Sequence, residues 1–340
     1  MTLVSAPSST TPSPEQGAPG RSFMSRPRLG ASPATSPSGL GSSCPLSSPR
    51  QSGFERLTPR ERTPTAGGRY SRPFNLPESR AGMRDDDRLY TTVAAAWRSF
   101  EAAASLQSRV GPAIPILFFG DRDAYGESRH RVLTVGLNPS RTEFPTGNPF
   151  QRFPLAESIR PEDQEPYLDA LSAYFRTSPY RKWFRSFEPM LNGMSASYYD
   201  HSTSTALHTD ICSPVATDPT WSRLREADRR LLAHDGRRLW HELLIALRPN
   251  VVVLSVAKSH LEHIAFEPLG PWQLIHSFDR KRDGTLRSYA YEVLGCWHLV
   301  GTEPALFVFC PASQTPLGSI SNDQKRELGA IVADAHQDAA

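Results

Sequence analysis

The sequence predicts an α/β fold with a mainly parallel central sheet. Two short apolar runs support that prediction: residues 132–135, which end at Gly136, and the β-branched run 250–256. Uninterrupted runs of this length are typical of strands buried on both faces, as in parallel sheets. Segments with helical spacing flank the second run, as βαβ units require. We therefore expect one α/β domain over residues 86–340.

The remaining elements follow from periodicity and turn residues. Residues 89–104 carry apolar side chains three and four apart, which predicts an opening helix. The other predicted elements are, in order, two helices within 157–193, a strand over 206–211, helices over 221–233 and 237–247, a helix over 258–266, a hairpin joining 272–275 to 286–294, a strand over 305–309, and a helix ending near residue 335.

The first 85 residues differ in composition from the rest. They hold 13 of the 31 prolines and 11 arginines against 5 acidic residues, so the segment carries +6 while the whole chain carries +3. With so few large apolar groups, this segment cannot bury enough surface to offset its chain entropy. We expect residues 1–85 to be a disordered tail, either a solvated linker or an electrostatic arm for nucleic acid.

The four cysteines, Cys44, Cys212, Cys296 and Cys310, are widely separated. Their spacing fits neither a disulfide framework, a zinc module nor an iron–sulfur cluster, so we expect no cofactor. Three histidines in helical segments, His241, His260 and His263, also lack the spacing of a metal site. With no signal peptide or long apolar stretch, we expect a soluble, cytoplasmic protein with no membrane contact.

Two motifs lie in the loop after the first apolar run. They read Gly136-Leu137-Asn138-Pro139-Ser140 and, further on, Gly147-Asn148-Pro149-Phe150. Both motifs, at this separation, resemble those of the uracil-DNA glycosylase superfamily, specifically its mismatch-specific and single-strand-selective branches. The resemblance extends over roughly residues 86–335. It implies a three-layer α/β/α sandwich and metal-free hydrolysis of a base from DNA.

The resemblance assigns roles within these motifs. Asn138 matches the residue that holds the attacking water, with Ser140 beside it in the catalytic loop, while Gly136 and Leu137 line the substrate site. Asn138 and Pro139 also suit a simple chain turn after a strand. Phe150 matches the aromatic ring that stacks on an extruded base, although a hydrophobic plug under the loop is the alternative.

The strand over 206–211 places His208 and Asp210 on one side and Thr209 on the other, because side chains alternate along a strand. The resembling family reads the base edge from this strand, usually with asparagine. Here Thr209 or Asp210 takes that place, and an ionised Asp210 suits a base that presents donors. Alternatively, Asp210 caps the following loop.

The last loop, residues 310–318, corresponds to a family motif that begins with histidine. This chain has Cys310 there, and a thiol is a poor donor, so Ser313 or Gln314 must substitute if the leaving base is to be stabilised. Leu317, beside Gly318, matches the wedge that enters the DNA stack, or is ordinary core.

These residues predict excision of a damaged or deaminated base from DNA, single-stranded or mismatched, by a monomer. Two alternatives stay open: a binding module for nucleic acid or nucleotides without turnover, and a hydrolase or transferase acting on free nucleotides. The basic hairpin tip Arg280, Lys281 and Arg282 is either a phosphate contact or merely solvated.

Overall fold

The computed structural model describes residues 84–199, 202–312 and 315–337. Over these residues the chain forms a mixed α/β domain with a mostly parallel central sheet, as the sequence predicts. The predicted disordered tail lies outside the described residues, apart from Arg84 and Asp85. Among the described residues, no helix has the length and apolar character needed to cross a membrane.

One sheet contains eight strands of the described chain. They are β1 Val132–Gly136, β2 Ala196–Ser197, β3 Ser204–Asp210, β4 Val251–Leu254, β5 Glu267–Pro268, β6 Gln273–Arg280, β7 Leu286–Val300 and β8 Glu303–Phe309. The order is β2-β3-β1-β4-β8-β7-β5, with β6 paired to β7. The run from β2 to β8 is parallel, whereas β7 is antiparallel to its three neighbours. Every residue of β1 and β4 is buried, as their apolar runs predict.

The α-helices of the described chain pack in two groups. They are α1 Asp85–Ala102, α2 Arg122–Gly126, α3 Gln164–Ser172, α4 Arg181–Phe184, α5 Glu188–Gly193, α6 Glu226–Leu247 and α7 Asn322–Gln337. Helix α1 packs against α6, and α5 packs against α7. Three aspartates in the first turn of α1 complement its dipole. The arrangement is compatible with a three-layer sandwich.

Several predicted boundaries were wrong. Residues 157–193 contain three short helices rather than two, and the helix predicted over 258–266 is only a 3-10 turn, Lys258–His263. The two helices predicted over 221–233 and 237–247 are largely the single helix α6, which continues through Gly236. A Cβ at Gly236 would lie 2.0 Å from the carbonyl oxygen of Cys212. Gly236 therefore marks a close approach of helix and loop, not a helix break.

The strand order defines where a ligand site is expected. From β1 the chain moves to β3 on one side, and then crosses back to β4 on the other side of β1. The loops after β1 and β4 therefore diverge, and a ligand is expected to bind outside the carboxyl ends of these strands. The loop with Gly136 and Asn138 lies at this edge.

Candidate functional site

Gly136 lies beneath two polar side chains at the carboxyl edge of the sheet. It pairs with Asp210 on β3, and Thr134 pairs with His208. A Cβ at Gly136 would lie 2.5 Å from Asp210 Oδ1 and 3.1 Å from His208 Nε2. Any larger residue would displace these groups. The prediction that His208 and Asp210 share one side of the strand is confirmed.

His208 is a buried, neutral side chain. Its Nδ1 lies 2.8 Å from Thr134 Oγ1, which also bonds the hydroxyl of Tyr198. Three phenylalanine rings surround the imidazole at centroid distances of 5.1–5.7 Å: Phe119, Phe184 and Phe187. Burial lowers the pKa of His208 to about 3. At neutral pH the imidazole therefore positions its neighbours and carries no charge.

Asp210 is a buried carboxyl group at the carboxyl end of β3, and its pKa is raised. Burial, and then the negative charge of Glu143, raise its pKa well above the usual value. Its Oδ1 lies 3.8 Å from His208 Nε2, which is too long for a hydrogen bond, and a neutral imidazole forms no ion pair. No described backbone N–H donates to it, so the loop-capping alternative has no support. Asp210 is therefore a buried carboxyl group without a hydrogen-bond donor among the described residues.

Glu143 is a second buried carboxyl group, and sequence reasoning missed it. Its Oε2 accepts a hydrogen bond of 2.6 Å from the hydroxyl of Tyr174 and lies 4.0 Å from Arg152 Nε. Burial raises the pKa of Glu143 to about 7, against the opposing effects of Tyr174 and Arg152. A pKa near neutrality suits a general base. The charge of Glu143 also raises the pKa of Asp210, and we call these two buried carboxyl groups the carboxyl pair.

We expect the free energy of unfolding of Glu143→Gln, relative to that of the wild type, to increase as the pH rises from about 5 to about 8. The folded-state pKa of Glu143, about 7, lies above the usual 4.5. The folded protein therefore holds a proton that the unfolded chain releases, and stability is lost as pH rises through 7. Glutamine has no such loss. Urea unfolding at both pH values should show the difference in free energy of unfolding widen by about 3 kcal/mol.

The matched control is Glu157→Gln, which removes an exposed carboxylate. Its effect on the free energy of unfolding should be the same at both pH values. The lowered pKa of His208 gives the opposite slope, but it acts equally in all three proteins. An advantage of Glu143→Gln that does not change with pH would mean that Glu143 titrates as an ordinary glutamate.

The side-chain amide of Asn138 donates hydrogen bonds to the loop through Nδ2, while no described residue donates to its Oδ1. Its Nδ2 donates to Pro139 O and Thr217 Oγ1 at 2.8 Å and to Val215 O at 3.3 Å. Three acceptors around one atom fix the orientation of the amide. No described residue donates to Oδ1. The chain-turning role is therefore present, and one acceptor remains for a water molecule.

The other residues of the motif loop have local partners. Ser140 Oγ accepts a 3.3 Å hydrogen bond from Thr142 N and caps a turn of 3-10 helix, while the carbonyl of Leu137 accepts from Cys212 N. Phe150 is half-buried and meets Phe144 edge-to-face at 6.3 Å. Its ring is thus partly accessible.

Two predicted substrate-binding residues, Thr209 and Cys310, have buried side chains. Thr209 is buried, and its hydroxyl donates to Leu117 O at 2.8 Å on the side of β3 opposite Asp210. Cys310 is fully buried, and burial raises the pKa of its thiol. Neither side chain is available to a base in this conformation.

The wedge assignment of Leu317 requires correction. Its side chain is 0% exposed, and its N–H donates to Ser255 Oγ at 3.0 Å. Leu317 is therefore core, which the sequence left as an alternative. Ser313 and Gln314 lie outside the described residues.

Comparisons with known proteins do not assign the chain to a family. A scan of the chain against protein-family models finds no match, and neither does a search of curated proteins. Within the described ranges, no group of three or more histidine, cysteine, aspartate or glutamate residues is placed to hold a metal ion.

Proposed function

We propose that this chain hydrolyses the N-glycosidic bond of a damaged or deaminated base in DNA, on a three-layer scaffold of the uracil-DNA glycosylase type. The observation that supports this most is the carboxyl pair Glu143 and Asp210 at the carboxyl edge of parallel strands. N-glycosidic hydrolysis needs an activated water and a donor for the departing base. One ionisable base and one protonated acid match those two needs.

In the proposed reaction, Asn138 Oδ1 and Glu143 hold the attacking water. Glu143 accepts its proton as the water oxygen bonds to C1′ of the sugar, and the C1′–N bond breaks with its electron pair leaving on the base. Asp210 donates a proton to the departing base. The products are the free base and an abasic sugar, and solvent returns a proton from Glu143 to Asp210.

The hairpin of β6 and β7 supports contact with a nucleic acid. Leu294 of β7 pairs with Phe309 at the end of β8, so residues 286–293 extend past the carboxyl edge of the sheet by roughly 26 Å. Arg287 donates to Ser319 O at 2.7 Å, which ties this extension to the last loop. The exposed tip carries three basic residues: Arg280, Lys281 and Arg282. A projection with exposed basic residues at this edge of the sheet suits a phosphate backbone.

Single-turnover base release tests the proposal. The substrates are oligonucleotides containing uracil, hypoxanthine, xanthine or a G·T mismatch. We expect the wild type to release one of these bases, Asn138→Ala to lose about 10²-fold or more in rate, and Phe150→Ala to weaken binding by about 1–3 kcal/mol.

Thr217→Val is the matched control for Asn138. It removes the hydroxyl that accepts from Asn138 Nδ2 while leaving Oδ1 in place. A much smaller loss of rate in Thr217→Val than in Asn138→Ala would separate water positioning from loop support. Equal losses would reduce Asn138 to a loop-holding residue, and no released base from any substrate would end the enzymatic proposal.

The second candidate is a hydrolase that acts on free nucleotides. The burial of Leu317 favours it, because a free nucleotide needs no wedge to leave a stack. Weak binding of duplex DNA with little dependence on salt, alongside turnover of a nucleotide, would select this candidate, because few counterions are then released.

A further inference from the structure

A second group of polar side chains lies on α6 and in the turn after β4. Its members, the basic cluster, are Arg229, Arg237, His260 and His263. Arg229 and Arg237 lie on α6 in the half nearest the end of β3, and the two histidines lie in the turn after β4. Both segments follow strands whose carboxyl ends lie at the same edge of the sheet.

Arg237 combines a direct contact to a histidine with a buried donor that has no acceptor among the described residues. Its Nη2 lies 2.8 Å from His263 Nε2, and no described carboxylate forms an ion pair with it. Its Nε is buried and has no acceptor among the described residues. A half-buried guanidinium without a counter-charge is unfavourable unless an anion neutralises its charge and accepts its unpaired N–H.

The pKa values of the two histidines, His260 and His263, are lowered. Burial, followed by Arg237, lowers the pKa of His263 to about 4 and lowers that of His260. His263 therefore accepts from Arg237 through Nε2 and carries its proton on Nδ1. The nearest carboxylate, Glu262, is 75% exposed and lies 3.9 Å from that Nδ1. One solvated glutamate does not neutralise the basic cluster.

The basic cluster borders the carboxyl pair through Cys212. The thiol lies 3.9 Å from His260 Nδ1, and its pKa responds both to Arg237 and to Asp210. Cys212 follows Asp210 by two residues, so the basic cluster and Asp210 lie at the same end of β3. A guanidinium in this place opposes a metal ion and favours an anion.

We propose that the basic cluster is a phosphate-binding site, in which Arg237 and the His260 and His263 imidazoles donate to the oxygens of a phosphate group. The group belongs either to the DNA backbone next to the bound nucleotide or to a free nucleotide. Forked guanidinium donors suit phosphate geometry, and neutral imidazoles each supply one further N–H. Phosphate binding does not require base hydrolysis, so this proposal and the proposed function can fail separately.

The test is NMR of histidine-labelled protein during addition of inorganic phosphate and, separately, of a short thymidine oligonucleotide. In the wild type we expect phosphate to shift the ring signals of His260 and His263. Arg237→Gln should lose these shifts. Arg238→Gln, which removes the neighbouring guanidinium that lies 3.8 Å from Asp235, should keep them.

The oligonucleotide identifies the source of the phosphate. Weaker oligonucleotide binding by Arg237→Gln, with a salt slope smaller by about one, assigns the site to a backbone phosphate. Unchanged oligonucleotide binding, with phosphate shifts lost, assigns it to a free phosphate group.

Two results would overturn the proposal. The first is the absence of any phosphate-dependent shift in the wild type. The second is a clear fall in the melting temperature of phosphate-free Arg237→Gln below that of Arg238→Gln, because a residue without a counter-charge stabilises the fold little. We expect the two variants to unfold at similar temperatures.

Discussion

Asp210→Asn is expected to reduce single-turnover base release by about 10²- to 10⁴-fold, the range typical of a lost general acid. The residue is 8% exposed, and burial with the charge of Glu143 raises the pKa of its carboxyl group. Asparagine keeps the shape and donates a hydrogen bond, but it has no proton to transfer. The measurement is the rate of abasic product formation with enzyme in excess over DNA.

The pH profile separates a catalytic role from a structural one. Wild-type rates should rise as Glu143 ionises near pH 7 and fall at higher pH as Asp210 loses its proton. Asp210→Asn should lose the alkaline fall, which a merely structural change would leave in place. Full activity in Asp210→Asn would exclude Asp210 as the proton donor.

Asp218→Asn is the matched control. Asp218 lies in the next loop segment, where its carboxylate is 58% exposed and 3.5 Å from Arg141 Nε. We expect its rate of base release to stay within about twofold of the wild type, since exposed ion pairs contribute little. An equal loss in both variants would point to a general effect of charge on DNA binding.

The site was predictable where local rules decide it. The position of Gly136 after an apolar run follows from strand geometry, and so does the placement of His208 and Asp210 on one side of β3. Both features are present. Glu143 was not predictable, because its burial depends on Tyr174, far along the chain. Its only sequence signal was an acidic residue beside phenylalanine in the motif loop. For Leu317 the sequence left a wedge and ordinary core as alternatives, and only the packing, which buries the side chain, decides for core.

The fold was predictable for the same reason. Short apolar runs such as β1 and β4, bounded by turn residues, favour strands buried on both faces, which are typical of a parallel sheet. Helix boundaries failed where tertiary contacts decide them. Gly236 has poor helix propensity, yet α6 continues through it because the helix packs directly on the backbone after β3.

Gly236→Ala is therefore expected to destabilise the protein by about 3 kcal/mol. Propensity alone predicts the reverse, because alanine favours a helix interior by about 1 kcal/mol over glycine. The added Cβ would lie 2.0 Å from Cys212 O and 2.7 Å from Ser213 Cα. Backbone atoms cannot rotate away, so the helix or the loop must move.

Urea unfolding of Gly236→Ala and Gly126→Ala measures the contact. Gly126 ends α2, and a Cβ there meets nothing within 4 Å. Gly126→Ala should leave stability unchanged or raise it by about 0.5 kcal/mol, since only the unfolded chain loses freedom. Because Cys212 follows Asp210 by two residues, the displaced loop in Gly236→Ala should also slow base release. Equal stability of the two variants would mean that α6 does not pack closely on the backbone of Cys212 and Ser213. The position of the loop after β3 would then not depend on this contact.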